Sequence, residues 1–406
     1  MAQAKLEARI SQIGGQLARR VSRVVAAIPG SPAGPVRLAR AVGIDKVLAS
    51  RLLRAAAGKD PVAVLKMMPG PEPLRRFASA AAKAGVAREL VEQFQAAVAE
   101  FDELIRTEAG DRSGLDAILS AWLPEARQEF ELRRKQAVYR AMSQLKGSSA
   151  DVLLQTVFIH RSQDDPDQLD LVWVMGLLGL QRLRPDCMVK FASRRVAFDK
   201  STGQQRRPET LDGTPIEGYE GLLVQEFCSR PLAPVRVHPM NEVVYYTLGQ
   251  NGFGPPSATD LVFVEVNRHE LPRTVPPDRP RKRWVSAEIT VAAKILVFDA
   301  LVHRDLNPTE PELFIYDTSF DGLANVNDPA RDIDRMDLAE SVQSMGTGIG
   351  KFRTTDVPWY PQLLSRVCQK LGWDGNALVG YRCRIDYPLY GSQVAMAWNA
   401  PVQDRG

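Results

Sequence analysis

Residues 36–57, VRLARAVGIDKVLASRLLRAAA, read as two short helices joined by a tight turn. Leu38 and Ala39 fall on the inner face of the first helix, Val42-Gly43-Ile44 makes the turn, and Leu48, Leu52 and Leu53 anchor the second. The small side chain of Ala39 lets the helices cross closely. Gly43 supplies the left-handed backbone that a tight turn needs, and Asp45 is placed to cap the second helix. With Asp45 as the cap, Lys46, Val47, Ser50, Arg51 and Arg54 share the outward face of that helix, and Arg37 and Arg40 add two bases on the first.

The segment resembles the helix-turn-helix of bacterial transcriptional repressors, in which a small residue, a turn glycine and a Ser-Arg pair in the recognition helix recur. Ala39, Gly43 and Ser50-Arg51 are those residues here. Ala49 stands where such motifs place a β-branched core residue. No wing follows, because Gly58-Lys59-Asp60-Pro61 ends one helix and starts the next. The resemblance, confined to residues 36–57, implies a sequence-specific DNA-binding regulator of transcription. Lys46, Val47, Ser50 and Arg51 would meet base edges in a major groove, and Arg37, Arg40 and Arg54 would complete the contact with double-stranded DNA.

The charge distribution agrees with that expectation. Residues 1–60 hold eleven bases against three acids, a net +8, which leaves −4 for the rest of a chain whose total is +4. A basic segment coinciding with such a motif is the electrostatic footprint of duplex binding. The rival class is a structural or assembly protein, non-enzymatic, whose basic helices bind nucleic acid without sequence preference or pack against partners.

Working outward, residues 1–28 carry one apolar stripe through Leu6, Ile10, Ile13, Leu17, Val21, Val24 and Val25. Further helices are expected over residues 61–68, 74–84, 86–108 and from Pro124 to about Lys146. From about residue 150 the pattern turns to strands at 152–160, 169–174, 188–198, 222–227, 235–248, 260–266, 284–302 and 312–317. Residues 331–345 and 361–372 read as helical, and 381–398 has strand character. The expected fold is therefore multidomain, α and α+β, with an antiparallel or mixed C-terminal sheet. Residues 1–85 form the DNA-binding region, 86–147 a helical connector that supports a homodimer, and 148–406 a sensor or oligomerisation domain taking a small-molecule effector.

Enzyme motifs fail on their chemistry. His303-Arg304-Asp305 looks like a kinase catalytic loop, but Glu310 stands where magnesium needs Asn, and no Asp-Phe-Gly follows. Met345-Gly346-Thr347-Gly348-Ile349-Gly350-Lys351 lacks the first glycine of a phosphate loop, and Phe352 replaces its hydroxyl residue. The histidines His160, His238, His269 and His303 are far apart in sequence, and the four cysteines form no CxxC pair. The acids of 317–337 lack calcium-loop spacing. The basic run Arg279, Arg281, Lys282 and Arg283 before Trp284 reads as a solubilising turn. Neither catalytic residues nor a metal or cofactor are expected. With no apolar run of membrane length and no secretory start, a cytoplasmic protein without a membrane partner is expected.

Overall fold

The computed structural model describes residues 2–30, 34–185, 187–195, 208–216, 218–240, 243–249, 252–278 and 281–402. The chain forms two compact units, residues 1–131 and 132–406. The first is helical, with α1 (Ala2–Ala27), α2 (Pro35–Val42), α3 (Lys46–Ala57), α4 (Pro61–Met67), α5 (Pro71–Lys83), α6 (Arg88–Leu104), α7 (Arg112–Trp122) and the start of α8 (Pro124–Lys146). Proline opens α2, α4, α5 and α8, where its missing N–H costs nothing.

The α1 stripe lies against α3, α4 and α6. Ile10, Leu17, Val21 and Val24 are essentially inaccessible to solvent. Each such aliphatic contributes about 1.5–3 kcal/mol of burial, so packing rather than helix propensity holds α1. Contact with α4 is close enough to require Gly14, since a Cβ there would sit 2.2 Å from the Pro61 carbonyl oxygen.

The second unit is built on a six-stranded sheet in the order β10-β11-β8-β1-β2-β6. Its strands are β1 (Ser148–Arg161), β2 (Gln168–Arg182), β6 (Thr259–Pro272), β8 (Ala293–His303), β10 (Gln343–Thr347) and β11 (Leu378–Asp386). β1 and β8 run parallel; every other pair in this sheet is antiparallel. Two antiparallel three-stranded sheets complete the unit. One is β7 (Lys282–Glu288), β12 (Ser392–Asn399) and β9 (Glu312–Asp317), and the other β3 (Val189–Arg195), β5 (Val243–Leu248) and β4 (Val235–Met240). The fold is thus α in its first part and α+β in its second.

Strand alternation divides the large sheet into two faces. Val152, Leu154 and Phe158 of β1 pack with Leu363, Leu364 and Val367 of helix α9 (Tyr360–Leu371). Leu153, Val157 and Ile159 join Val285 and Ala287 of β7 and Met396 of β12 on the other face. No helix among the described residues is long and apolar enough to cross a membrane.

Four expectations need correction. Residues 235–248 are not one strand but divide into β4 and β5, which pair antiparallel. Residues 222–227 do not form a strand: two 3-10 turns, Glu220–Leu222 and Gln225–Phe227, flank Leu223, which makes a single bridge to Phe263. Residues 331–345 are not a helix: a 3-10 turn, Pro329–Asp334, gives way to extended chain and β10. Arg331 holds that turn by donating to the carbonyls of Asp321, Gly322 and Leu323, and Met336 N–H pairs with Ile315, so loop contacts outcompete helix propagation. Residues 284–302 divide into β7 and β8, which lie in different sheets.

Candidate nucleic-acid interface

The turn between α2 and α3 has the geometry its residues demand. Gly43 adopts φ 69° and ψ 38°, the left-handed region, and its N–H bonds the Ala39 carbonyl. The Asp45 carboxylate accepts the Val47 N–H at 2.7 Å and the Leu48 N–H at 3.4 Å, satisfying two of the donors a helix start leaves open. Leu38, Val42, Ala49, Leu52 and Ala55 are buried, while Ala39, Leu48 and Leu53 pack half-exposed at the edge of the same core. Ala49, where such motifs place a β-branched residue, is wholly buried on the inner face of α3.

The remaining face of α3 is open. Lys46, Val47, Arg51 and Arg54 are exposed, Ser50 is half-buried, and Arg37 and Arg40 are exposed on α2. Val47 is 65% exposed, a large apolar side chain left in water at the start of the helix. Arg37, Arg40, Lys46 and Arg54 make no ion pair with any described residue. Some other cations of this unit are paired, among them Arg9 with Glu108 at 2.7 Å and Arg75 with Asp102 at 2.6 Å.

Arg51 behaves differently from its neighbours. Its Nε and Nη2 donate to the Met67 and Met68 carbonyls at 3.4 and 3.3 Å, across the end of α4. Arg112 covers the same end, donating from Nη2 to the Leu65 and Lys66 carbonyls at 2.9 Å each. Two guanidiniums therefore cap the orphan carbonyls of α4. Burial lowers the Arg112 pKa, and the Arg51 charge lowers it further. Neither partnership is visible in sequence, because the acceptors are backbone atoms of another helix.

In the second unit, strand register gathers polar groups that the sequence scatters. His303 ends β8, His160 lies near the end of β1, Asp170 near the start of β2, and Arg268 and His269 on β6, across four adjacent strands. The His160 ring stacks on Trp373 with centroids 4.4 Å apart and meets the His303 ring at the same distance. Asp170, 1% exposed, accepts Arg268 Nη1 at 2.7 Å and the His269 N–H at 3.0 Å. A His-Arg pair recurs after an apolar strand, at 160–161 and 303–304, but only the pairing of β1 with β8 brings the two histidines together. Among the described residues no group of His, Cys, Asp or Glu is arranged to hold a metal ion.

The kinase-like stretch is the end of β8 followed by a 3-10 turn, Arg304–Leu306. The glycine-rich stretch is β10 and a second such turn, Ile349–Lys351. Of the basic run, Arg279 lies outside the described residues, while Lys282 and Arg283 lie within β7 rather than in a turn. Between the sheets is a cleft of about 480 Å3, lined by Trp173, Met175, Phe191, Phe263 and Trp284 with Gln155 and Asn267 among its polar groups. No protein family, no curated protein and no solved structure matches this chain.

Proposed function

We propose that the chain is a cytoplasmic transcriptional regulator that reads double-stranded DNA through α3. The observation that carries this function is the exposed outer face of a capped second helix, where unpaired cations flank a solvent-exposed valine. Lys46, Arg54, Arg37 and Arg40 would bind phosphates, and Val47 would contact a thymine methyl, with Ser50 beside it at the base edges. Arg51 would position the reader from the α4 side, with base contact following release of its long carbonyl bonds. A homodimer would double the site at about one helical turn of DNA. The exposed Leu132, Val138 and Leu145 of α8 supply apolar surface for such a contact. The 480 Å3 cleft, whose aromatic walls alternate with polar and acidic groups including Gln155, Glu265, Asn267 and Glu288, has the size of an effector site.

Gel-shift titration of the full chain against a random duplex pool, repeated at several salt concentrations, tests the proposal. Saturable binding with enrichment of a recurrent sequence is expected, with affinity falling steeply as salt rises. Binding without enrichment would assign an assembly role instead, and no binding at low salt would reject DNA as the partner.

A further inference from the structure

The run Arg281-Lys282-Arg283-Trp284 forms one wall of a second cleft, of about 270 Å3, completed by Leu271, Val275 and Asn325. Its three cations are not equivalent. Lys282 is neutralised, its ammonium 2.6 Å from the Glu312 carboxylate and over the Phe314 ring. Arg283 donates from Nη2 to the carbonyls of Pro272 and Arg273, at 2.6 and 3.0 Å, both neutral acceptors. No carboxylate among the described residues lies within ion-pair distance of Arg283, and its Nε and Nη1 donate to none of these residues. Burial, and after it the like charge of Arg281, lower its pKa to about 10. It remains charged at neutral pH, so a half-buried guanidinium stands beside a second arginine with no carboxylate partner among the described residues.

The other cleft groups complement an anion with an organic body. Asn325 spends its Oδ1 on the Asn327 N–H at 2.9 Å, which leaves its amide nitrogen to donate. Leu271, Val275 and Trp284 provide an apolar wall. A phosphoryl dianion matches two adjacent guanidiniums in charge, with Arg281 able to offer a forked edge and Arg283 its Nε and Nη1 donors. We propose that this cleft binds a small phosphate ester, its phosphoryl group held by Arg281 and Arg283 with the Asn325 amide, and its apolar or aromatic remainder against Trp284, Leu271 and Val275. The assignment does not depend on α3 reading DNA.

Calorimetric titration of the full chain with phenyl phosphate, inorganic phosphate and phenol at fixed ionic strength tests it. Phenyl phosphate is expected to bind saturably at one site, at least tenfold tighter than either fragment. Arg281→Ala, a change at an exposed side chain, should weaken it at least tenfold, whereas Arg76→Ala, at an exposed position of α5, should leave it unchanged. Arg283→Lys, checked for folding by circular dichroism, should also weaken it; should that variant not fold, Arg281→Ala decides alone. Absence of saturable binding, equal affinity for either fragment, or full affinity in Arg281→Ala would overturn the assignment.

Discussion

Arg382 clamps Asp299 through two parallel bonds inside the large sheet, Nε to Oδ1 at 2.8 Å and Nη2 to Oδ2 at 2.7 Å. The two residues face each other in register across β11 and β8. Asp299 is fully buried, and the Tyr360 hydroxyl donates to its Oδ2 at 2.7 Å while sharing a second bond of 2.7 Å with Thr156. Three strands and α9 are therefore joined through one carboxylate. The remaining Arg382 donors reach the Phe352 and Arg353 carbonyls at 2.9 Å, so the charge pair is enclosed and its hydrogen bonds are satisfied.

Arg382→Met should destabilise the second unit by about 3–5 kcal/mol, because it strands a buried carboxylate. The double variant Asp299→Leu/Arg382→Met should recover much of that loss. Urea unfolding followed by tryptophan fluorescence checks both, and a double variant no better than the single one would show that the pair is not acting as a unit.

Two glycines of the helical unit should respond for different reasons. Gly43→Ala meets no neighbour within 4 Å, so its cost is the left-handed backbone alone, about 1–2 kcal/mol. Gly14→Ala places a methyl group on the Pro61 carbonyl, which cannot move without displacing α4, and should cost more. Thermal unfolding of the two variants side by side is the measurement. Equal losses would contradict the close approach of α1 and α4.

On α3, charge and shape should separate. Lys46→Ala and Arg54→Ala should each weaken binding to all duplexes and reduce the salt slope by about 1. Val47→Ala should alter base preference and leave that slope unchanged. Gel shifts across a salt series, with selected and random duplexes, distinguish these outcomes; a slope unchanged in Lys46→Ala and Arg54→Ala would place the phosphate contacts elsewhere.

Acid should weaken the second unit through His160. Burial lowers its pKa, and His303 lowers it further; the Arg161 carbonyl, Asp170 and Asp305 act in the opposite direction. The unfolded chain, with an ordinary histidine pKa near ~6.5, then binds more protons than the folded one. Its contribution is therefore intact above that pH and lost as pH falls toward the lowered folded value. Urea midpoints at pH 7.5 and 5.5 should differ less in His160→Phe, which keeps a ring on Trp373. An unchanged difference would exclude His160 as the source.

The helical half is largely legible in the sequence because its determinants are local. Asp45 and Gly43 act within a few residues, prolines mark helix starts, and the α1 stripe has helical period. The identity of most strands is legible, 222–227 and β10 excepted, but strand partnership is not. Nothing near Asp299 announces Arg382, and no spacing rule links His160 to His303; both pairs exist because the sheet brings distant strands together. Residues 331–345 mislead for the same reason, since Arg331 and Met336 answer to carbonyls supplied by neighbouring loops. On α3 the exposed face follows from period and cap, whereas the turning of Arg51 toward α4 depends on where another helix ends.

The parallel pairing of β1 with β8 also sets an order of events during synthesis. Ala150 pairs with Ala293, and Ile159 with Val302, so most of the second unit must leave the ribosome before that pair can close. The β1–β2 hairpin can form early, since Ile159 meets Leu171 after a short turn, but the far edge of β1 then waits unpaired. An apolar strand edge held open is a template for pairing with other chains. Contact order predicts that the helical unit, whose contacts span shorter separations than the β1–β8 pairing, closes before that pairing can form.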